Sequence, residues 1–389
     1  MANSVAKRKK KNKSEYYFDY SLLFIILFLL GFGLVMIYSA SSYEAFLDYK
    51  GDSAHYLKRQ LISGIIGLIF MTVVANVNYH FWERFAVLGY FVSLASLFVV
   101  LTPLGISSHG ATRWFKIPGI PFQVQPAEIA KLCMILFLAS MVCKLGKNVR
   151  KIRGIIIMVL MSLPHALVIW KVTDNLSSAI IVVGIACLMI FVADPHYKKY
   201  IIIGLLAIAA ITAFVFWVVS TEGAGGDFRI KRIAVWLHPE SDPDGVGFQT
   251  LQALYAIGSG GIWGKGLGQS MQKLNFLPEA QNDMIFSVIC EELGLFGAVA
   301  IILMFIMLLW RMMIIANNAP DLFGAMLVVG VIGHIAIQVI LNIAVVTNSM
   351  PNTGISLPFI SYGGSSVVFL LIEMGLVLSV ARRIQLKEG

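Results

Sequence analysis

Two carboxylates in residues 277–286, the run LPEAQNDMIF, are well placed to do chemistry. Pro278 suits the first turn of a helix, and Glu279 and Asp283, four residues apart, would then share one face of it. The positive end of the helix dipole favours their ionised forms. Either acid could serve as a general base or as a ligand of a divalent metal ion. Ordinary first-turn acids that only begin a helix would give the same pattern.

A second candidate segment is residues 351–366, which read PNTGISLPFISYGGSS. Its prolines and glycines exclude a regular spanning helix. At membrane depth, such broken backbone is tolerated only inside protein or beside a watery cavity. The start of the following apolar segment could point backbone N–H groups at an anion, whereas a re-entrant turn that only packs is the alternative. The candidate ligand-binding residues here are Ser361, Gly363, Gly364 and Ser365.

Cations that could face an anionic ligand occur in a third region. Arg113 lies in the run GATRW, and Lys131 lies in the run QPAEIAKL at the start of an apolar segment. Lys131 either faces a polar cavity and meets an anion, or pairs with Glu128 three residues earlier.

The glycine-rich run at residues 258–268, GSGGIWGKGLG, lacks the GxxxxGK[ST] pattern of a phosphate-binding loop, so we predict no nucleotide site. Glu291 and Glu292 follow within an apolar stretch. Acids at membrane depth are costly, so we expect these two to be functional or paired.

The elements that position these residues must be membrane helices. The 389 residues are 58% hydrophobic and 13% charged, whereas soluble domains are about 45–50% apolar and about 25% charged. Ten segments reach or approach the roughly 20 apolar residues that a span requires: 19–41, 60–78, 84–102, 127–143, 154–171, 177–193, 200–219, 285–310, 322–346 and 363–381. We predict an all-α polytopic membrane protein, with a basic cytoplasmic tail at 1–18 and a single ten-helix membrane domain at 19–389.

Loop charges predict the orientation. Short segments dense in Lys and Arg alternate with longer, less basic ones, which places both termini in the cytoplasm by the positive-inside rule. The inside cations are Lys7, Arg8, Lys9, Lys10, Lys11 and Lys13, five residues within 144–153, Lys198, Lys199, Arg311, Arg382, Arg383 and Lys387. The net charge of +9 is explained in this way, and no nucleic-acid partner is expected.

Three outside connections are unusually long or broken: residues 103–126, 220–284 and 347–362. Loops longer than about 12–15 residues are commonly functional or disordered. The loop at 220–284 is too rich in apolar and aromatic residues for a disordered tether, so we predict a large structured extracytoplasmic loop with a short amphipathic helix near 247–257. No internal repeat is evident, which disfavours an inverted-repeat transporter.

Together these segments resemble the FtsW/RodA/SpoVE family of bacterial membrane proteins. The resemblance rests on residues 351–366, 277–294 and 125–132, and on the neighbourhood of Arg232 with WLHPESDP at 236–243. The run at 258–273 is more similar to division and sporulation members than to elongation members. The chain departs from the family pattern at Gln281-Asn282-Asp283, where members usually read HTD.

The resemblance implies a GT-C-like peptidoglycan glycosyltransferase that polymerises lipid II, with inversion and with undecaprenyl pyrophosphate as leaving group, at the outer face of the cytoplasmic membrane during cell division or sporulation. The family's essential acid falls on Asp283, as base or metal ligand. Arg113, Lys131 and Arg232 would contact the pyrophosphate, and Glu279 would contact substrate. A divalent cation, Mg²⁺ or Mn²⁺, could share that work. The implied partners are a class B penicillin-binding protein and other divisome or sporulation membrane proteins.

Two other functions remain open. A lipid II flippase would also use broken helices and a polar cavity, but it needs polar groups along a path through the bilayer, whereas the runs here crowd one border. A non-enzymatic scaffold for division proteins would leave residues 278–283 and 351–366 without a role.

Overall fold

The computed structural model describes residues 18–108, 111–116, 119, 123–220, 233, 235–243 and 245–384. They form a helical bundle with one small hairpin. The helices are α1 (Tyr20–Asp48), α2 (His55–Asn76), α3 (Tyr79–Glu83), α4 (Ala86–Ser96), α5 (Pro126–Leu145), α6 (Ile152–Val172), α7 (Leu176–Ala193), α8 (Tyr197–Ser220), α9 (Val246–Gly260), α10 (Ile285–Asn317), α11 (Leu322–Val346) and α12 (Gly364–Ala381). The strands are β1 (Gly105–Ser108) and β2 (Ala111–Phe115).

Each of the ten predicted spans corresponds to a helix, so the prediction of a polytopic all-α membrane protein is confirmed. Within the described residues, eight helices are long and apolar enough to cross a membrane, and the stretch Ala86–Leu101 is a shorter apolar one. The tenth is α8, with 24 residues. The observed boundaries differ most in α1, which continues to Asp48, and in α10, which continues to Asn317.

Side chains close several helix ends that would otherwise leave amide groups unpaired. Asp19 caps α1 by accepting from the Leu22 amide at 2.9 Å, and its other oxygen accepts from Arg311 at 2.7 Å. Asn175 caps α7 through the Ser178 amide at 2.9 Å. These contacts fix where α1 and α7 begin, as expected for Asp and Asn at the N-cap.

The connection at 103–126, one of the three long or broken connections, contains an antiparallel hairpin. β1 pairs with β2, with Gly105 opposite Phe115 and Ile106 opposite Trp114. Phe115 also pairs with Val124, just before α5 begins at Pro126. The hairpin therefore holds Arg113 at the end of the bundle where α5 starts.

The prediction that a helix begins at Pro278 is wrong. Residues 271–284 form successive turns, and α10 begins at Ile285. Glu279 has φ +55°, a left-handed conformation that cannot belong to the first turn of an α-helix. Glu279 and Asp283 therefore do not share a helical face, and Asp283 lies two residues ahead of α10.

Helix α10 is interrupted at Gly294, where φ is +68°. The glycine-rich run 258–268 packs against this break. Its Lys265 and Gly266 amides donate to the carbonyls of Glu291 and Glu292, both at 2.9 Å. Across the break, the Leu295 amide donates to the Gly261 carbonyl at 2.9 Å. A broken helix inside a bundle needs such partners for its exposed backbone groups.

The predicted amphipathic helix near 247–257 is confirmed as α9, whose residues Ala253 and Ala256 are buried. A hydrogen bond from Trp236 Nε1 to the Asn348 carbonyl, 2.9 Å long, joins the segment before α9 to the end of α11. The described part of 220–284 is thus folded onto the bundle. Its placement outside the cytoplasm stays a prediction.

Candidate functional site

Asp283 lies at the end of the bundle where α10 begins and α11 ends. It is 9% exposed. Its main-chain carbonyl accepts a hydrogen bond from Asn342 Nδ2 at 2.7 Å. A Cβ placed on Gly354 would lie 3.8 Å from Asp283 Oδ2, so the Gly354 turn forms the wall beside the carboxylate. Gly354 has φ +65°, which favours glycine at that position.

The two candidate runs at 277–286 and 351–366 are in direct contact. The Ser361 hydroxyl donates to the Asn282 carbonyl at 2.6 Å, and the Tyr362 amide donates to the Gln281 carbonyl at 2.8 Å. Asn352 Nδ2 donates to Gln249 of α9 at 2.6 Å, and Gln249 donates to the Pro278 carbonyl at 3.3 Å. The broken segment therefore packs along the turn that carries Asp283.

Most polar groups proposed to bind an anion at 361–365 are already used internally. Ser361 Oγ also accepts from the Leu357 amide at 2.7 Å. The Gly363 amide donates to Gln60 Oε1 at 3.1 Å, and Ser365 Oγ accepts from the Gln125 amide at 3.3 Å. These contacts favour the alternative in which Ser361, Gly363 and Ser365 hold the segment in place. Gly364 begins α12 and is partly exposed.

The remaining predicted acid, Glu279, lies in the turn before Asp283. The Asn282 amide group donates to Glu279 Oε2, and the Asn282 main-chain amide donates to the Glu279 carbonyl at 3.0 Å. Glu279 thus closes the turn that presents Asp283. Its predicted contact with substrate stays a prediction.

Arg113 reaches the same end of the bundle from strand β2. Its Nη2 donates to the main-chain carbonyl of Asp174, between α6 and α7, at 2.9 Å. Burial lowers the pKa of the Arg113 guanidinium, and the nearby Asp174 charge opposes that shift. Because an arginine remains charged in proteins, Arg113 brings a positive charge to this region. Arg232 lies outside the described residues.

Lys131 and Glu128 form a buried ion pair on α5, with Nζ 2.8 Å from Oε1 and Lys131 only 1% exposed. The sequence left open whether Lys131 faces a polar cavity or pairs with Glu128, and the structure has the pair. A lysine already neutralised and enclosed in this way is poorly placed to meet a pyrophosphate.

Amide side chains on the spans support the broken segment, and the sequence reasoning missed them. Asn342 and Gln338 of α11 donate to the carbonyls of Ile355 and Ser356, and Gln60 of α2 holds the main chain of Ser361 and Gly363. Gln338 and Asn342 are four residues apart in an apolar helix, so they share one face. Two amide residues four apart in an apolar segment could have identified them, because polar side chains inside a span need partners.

Among the residues that the structure describes, no three His, Cys, Asp or Glu side chains lie close enough to hold a metal ion. A Mg²⁺ ion is commonly bound by one or two carboxylates together with substrate phosphates. Asp283 is the acid that could supply such a ligand, and a divalent cation therefore stays a proposal.

Comparison with protein families gives a match over residues 20–386 to the FtsW/RodA/SpoVE model, described as cell cycle protein. The chain is 42% identical over 366 residues to stage V sporulation protein E of Bacillus subtilis, covering 94% of this chain and 97% of that protein. It is 38% identical over 380 residues to the probable peptidoglycan glycosyltransferase FtsW of Trichlorobacter lovleyi, covering 97% and 96%.

Solved structures give the same result. A chain from the structure described as structural coordination of polymerization and crosslinking by a peptidoglycan synthase complex is 26% identical, with a TM-score of 0.75 over 94% of this chain and 98% of that one. The rod shape determining protein RodA of Thermus thermophilus is also 26% identical, with a TM-score of 0.66 over 95% and 98%.

Proposed function

The chain belongs to the FtsW/RodA/SpoVE family, and we propose from this premise that it is a peptidoglycan glycosyltransferase of cell division or sporulation. Its substrate is lipid II, which it joins into glycan strands at the outer face of the bacterial cytoplasmic membrane. The observation that carries the proposal is the position of Asp283, which lies where the turn before α10 meets the broken segment 351–363. Relatives named sporulation protein E and FtsW support the activity and the cellular role.

Asp283 acts as the general base in this reaction. Its carboxylate takes the proton of the acceptor sugar's 4-hydroxyl while the oxygen bonds to the anomeric carbon of the donor. The bond to undecaprenyl pyrophosphate breaks on the opposite side, which inverts the α-linked donor to a β-1,4 product. Base assistance of this kind contributes about 10²–10⁴-fold to the rate. A site at the bundle end suits a substrate whose sugars are in water and whose lipid stays in the bilayer.

Arg113 stabilises the departing pyrophosphate. Positive charge aimed at developing negative charge lowers the barrier most where water is limited, and Arg113 is half-buried at this end of the bundle. We assign Lys131 no such contact because Glu128 neutralises it. Arg232 and a divalent cation, Mg²⁺ or Mn²⁺, remain candidates for sharing the charge.

The orientation and partners follow from the same function. Both termini lie in the cytoplasm, which puts residues 277–284 and 351–363 on the outside. A class B penicillin-binding protein supplies the crosslinking step, in line with a structural neighbour described as a synthase complex that coordinates polymerization and crosslinking. Other membrane proteins of division or sporulation complete the assembly.

The test is polymerisation of fluorescent lipid II by purified protein, with and without a penicillin-binding partner. We expect Asp283→Asn to lower the rate about 10²–10⁴-fold because the amide cannot accept the proton. Asp52→Asn is the matched control, since Asp52 lies in an exposed connection paired with Lys58. Near-normal polymer from Asp283→Asn would disprove the role of this carboxylate.

A further inference from the structure

We propose that Asn342 is a positioning residue for the reaction, holding the main chain of Asp283 in register with the Gly354 turn. The inference rests on the proposed function, since it requires Asp283 to be the group that acts. Asn342 lies on α11, 59 residues beyond Asp283 in the chain. It is neither the proposed base nor one of the residues proposed to contact the pyrophosphate.

The contacts of Asn342 join, at Asp283 and Ile355, two segments that also meet through Ser361 and Tyr362. Its single amide nitrogen donates to the Asp283 carbonyl and to the Ile355 carbonyl, each at 2.7 Å. An amide NH₂ has two hydrogens, so this arrangement uses both. Asn342 is fully buried. A buried carbonyl without a donor is costly, so these two hydrogen bonds hold both segments against α11.

Asp283 is not part of a helix, and the Asn342 bond is the one that holds the Asp283 carbonyl itself. Asp283 lies between the left-handed turn at Glu279 and the first residue of α10. Ile355 follows Gly354, the residue that forms the wall beside the Asp283 carboxylate. Because one nitrogen of Asn342 binds the carbonyls of both Asp283 and Ile355, Asn342 sets the distance between the proposed base and the Gly354 turn.

The neighbouring residue on the same helix face supplies a matched control. Gln338, one turn away, is also buried and donates to the Ser356 carbonyl at 2.9 Å. It is therefore tied to the same broken segment, with the same kind of amide group, but its contacts do not include Asp283. Replacing each amide by leucine removes one buried donor in both cases, and only the Asn342 variant loses the link to the base.

We expect Asn342→Leu to lower kcat for lipid II polymerisation by about 10- to 100-fold, since a displacement of about 1 Å at a reacting group can cost that much. The KM for lipid II should stay within about twofold, because substrate contacts are retained. Gln338→Leu should keep kcat within about threefold of the unmodified protein. Thermal melting in detergent, recorded for every variant, reports whether each one is folded.

Two further variants keep the test decisive if leucine at 342 prevents folding. Asn342→Ser retains one donor, and we expect a kcat between those of the unmodified protein and Asn342→Leu. Asn342→Asp keeps the size but cannot donate when ionised, and we expect it to be as slow as Asn342→Leu. If Asn342 only filled space, kcat would not rise with the ability of the side chain at position 342 to donate a hydrogen bond.

Equal kcat values for Asn342→Leu and Gln338→Leu would overturn the inference, as would a loss confined to KM. The Asp283→Asn variant, assayed in parallel, separates the two proposals. If Asp283→Asn polymerises normally, the assignment of the base fails. If Asp283→Asn is inactive while Asn342→Leu behaves like Gln338→Leu, only the positioning role of Asn342 fails.

Discussion

Two regions of this chain, one around residues 291–292 and one around residue 283, hold acidic residues through different contacts. Glu291 and Glu292 in α10 are fully buried, and each has a lysine partner: Lys265 Nζ is 2.6 Å from Glu291, and Lys273 Nζ is 2.7 Å from Glu292. Asp283 retains 9% exposure, and the neutral amide of Asn342 holds it through its main chain.

The difference separates two acids that hold the fold together from the acid that we propose as the general base. Ser270 Oγ donates to Glu291, and Ser39 Oγ donates to Glu292 at 2.7 Å, so both carboxylates are surrounded by donors. A carboxylate enclosed in this way is poorly able to reach a substrate. Asp283, in contrast, is anchored through its main-chain carbonyl, which accepts from the Asn342 side chain.

The largest effect on stability should come from breaking one buried pair. Lys273→Met leaves the Glu292 charge without its ammonium partner, and removal of one member of such a pair costs about 3–5 kcal/mol. We expect the free energy of unfolding in detergent to fall by that amount. The folded fraction should still polymerise lipid II. A selective loss of turnover with unchanged stability would mean that the lysine–glutamate region takes part in the chemistry.

A smaller loss is expected from Gly294→Ala. The left-handed conformation of Gly294 costs an L-residue about 1–3 kcal/mol, and the new Cβ would lie 2.4 Å from the Gly264 nitrogen, so the glycine-rich run must shift. Gly31→Ala is the matched control, because a Cβ there meets nothing within 4 Å. Equal melting temperatures for the two variants would contradict the close packing of the glycine-rich run on the break.

Replacing both members of the Lys273–Glu292 pair tests whether the buried charges themselves stabilise the fold. Lys273→Met with Glu292→Leu removes the buried charges together, and such exchanges are often neutral or stabilising. We expect the double variant to regain most of the stability that Lys273→Met loses. If the double variant is no more stable than the single one, the carboxylate contributes through Ser39 rather than through the lysine.

The smallest effect should come from an exposed pair. Lys58 and Asp52 are 2.8 Å apart with side chains 64% and 37% exposed, and solvent screens them. The hydrogen bond from Lys58 holds the pKa of Asp52 below its ordinary value. Any stabilisation by this pair is therefore present at pH values above the ordinary pKa, and it is lost as the pH falls through the lowered pKa of the folded protein. We expect no measurable change in melting temperature for Lys58→Met at neutral pH.

The helices were predictable because span length and hydropathy are local properties of the chain. The segments at 277–286 and 351–366 were identified for a similar reason, since Pro, Gly and acidic residues are conspicuous beside apolar spans. The left-handed turn at Glu279 was not predictable, because contacts with distant residues impose it. The same holds for the pairing of Glu291 and Glu292 with lysines 26 and 19 residues earlier, which depends on how the glycine-rich run folds back.

The break at Gly294 has a mechanical consequence. The carbonyls of Glu291 and Glu292 accept from Lys265 and Gly266, so the first two turns of α10 are fastened to the run that follows α9. A displacement of α9 would therefore be passed to the start of α10 through these backbone hydrogen bonds. The turn that carries Asp283 lies two residues before that helix start, so it would move with it.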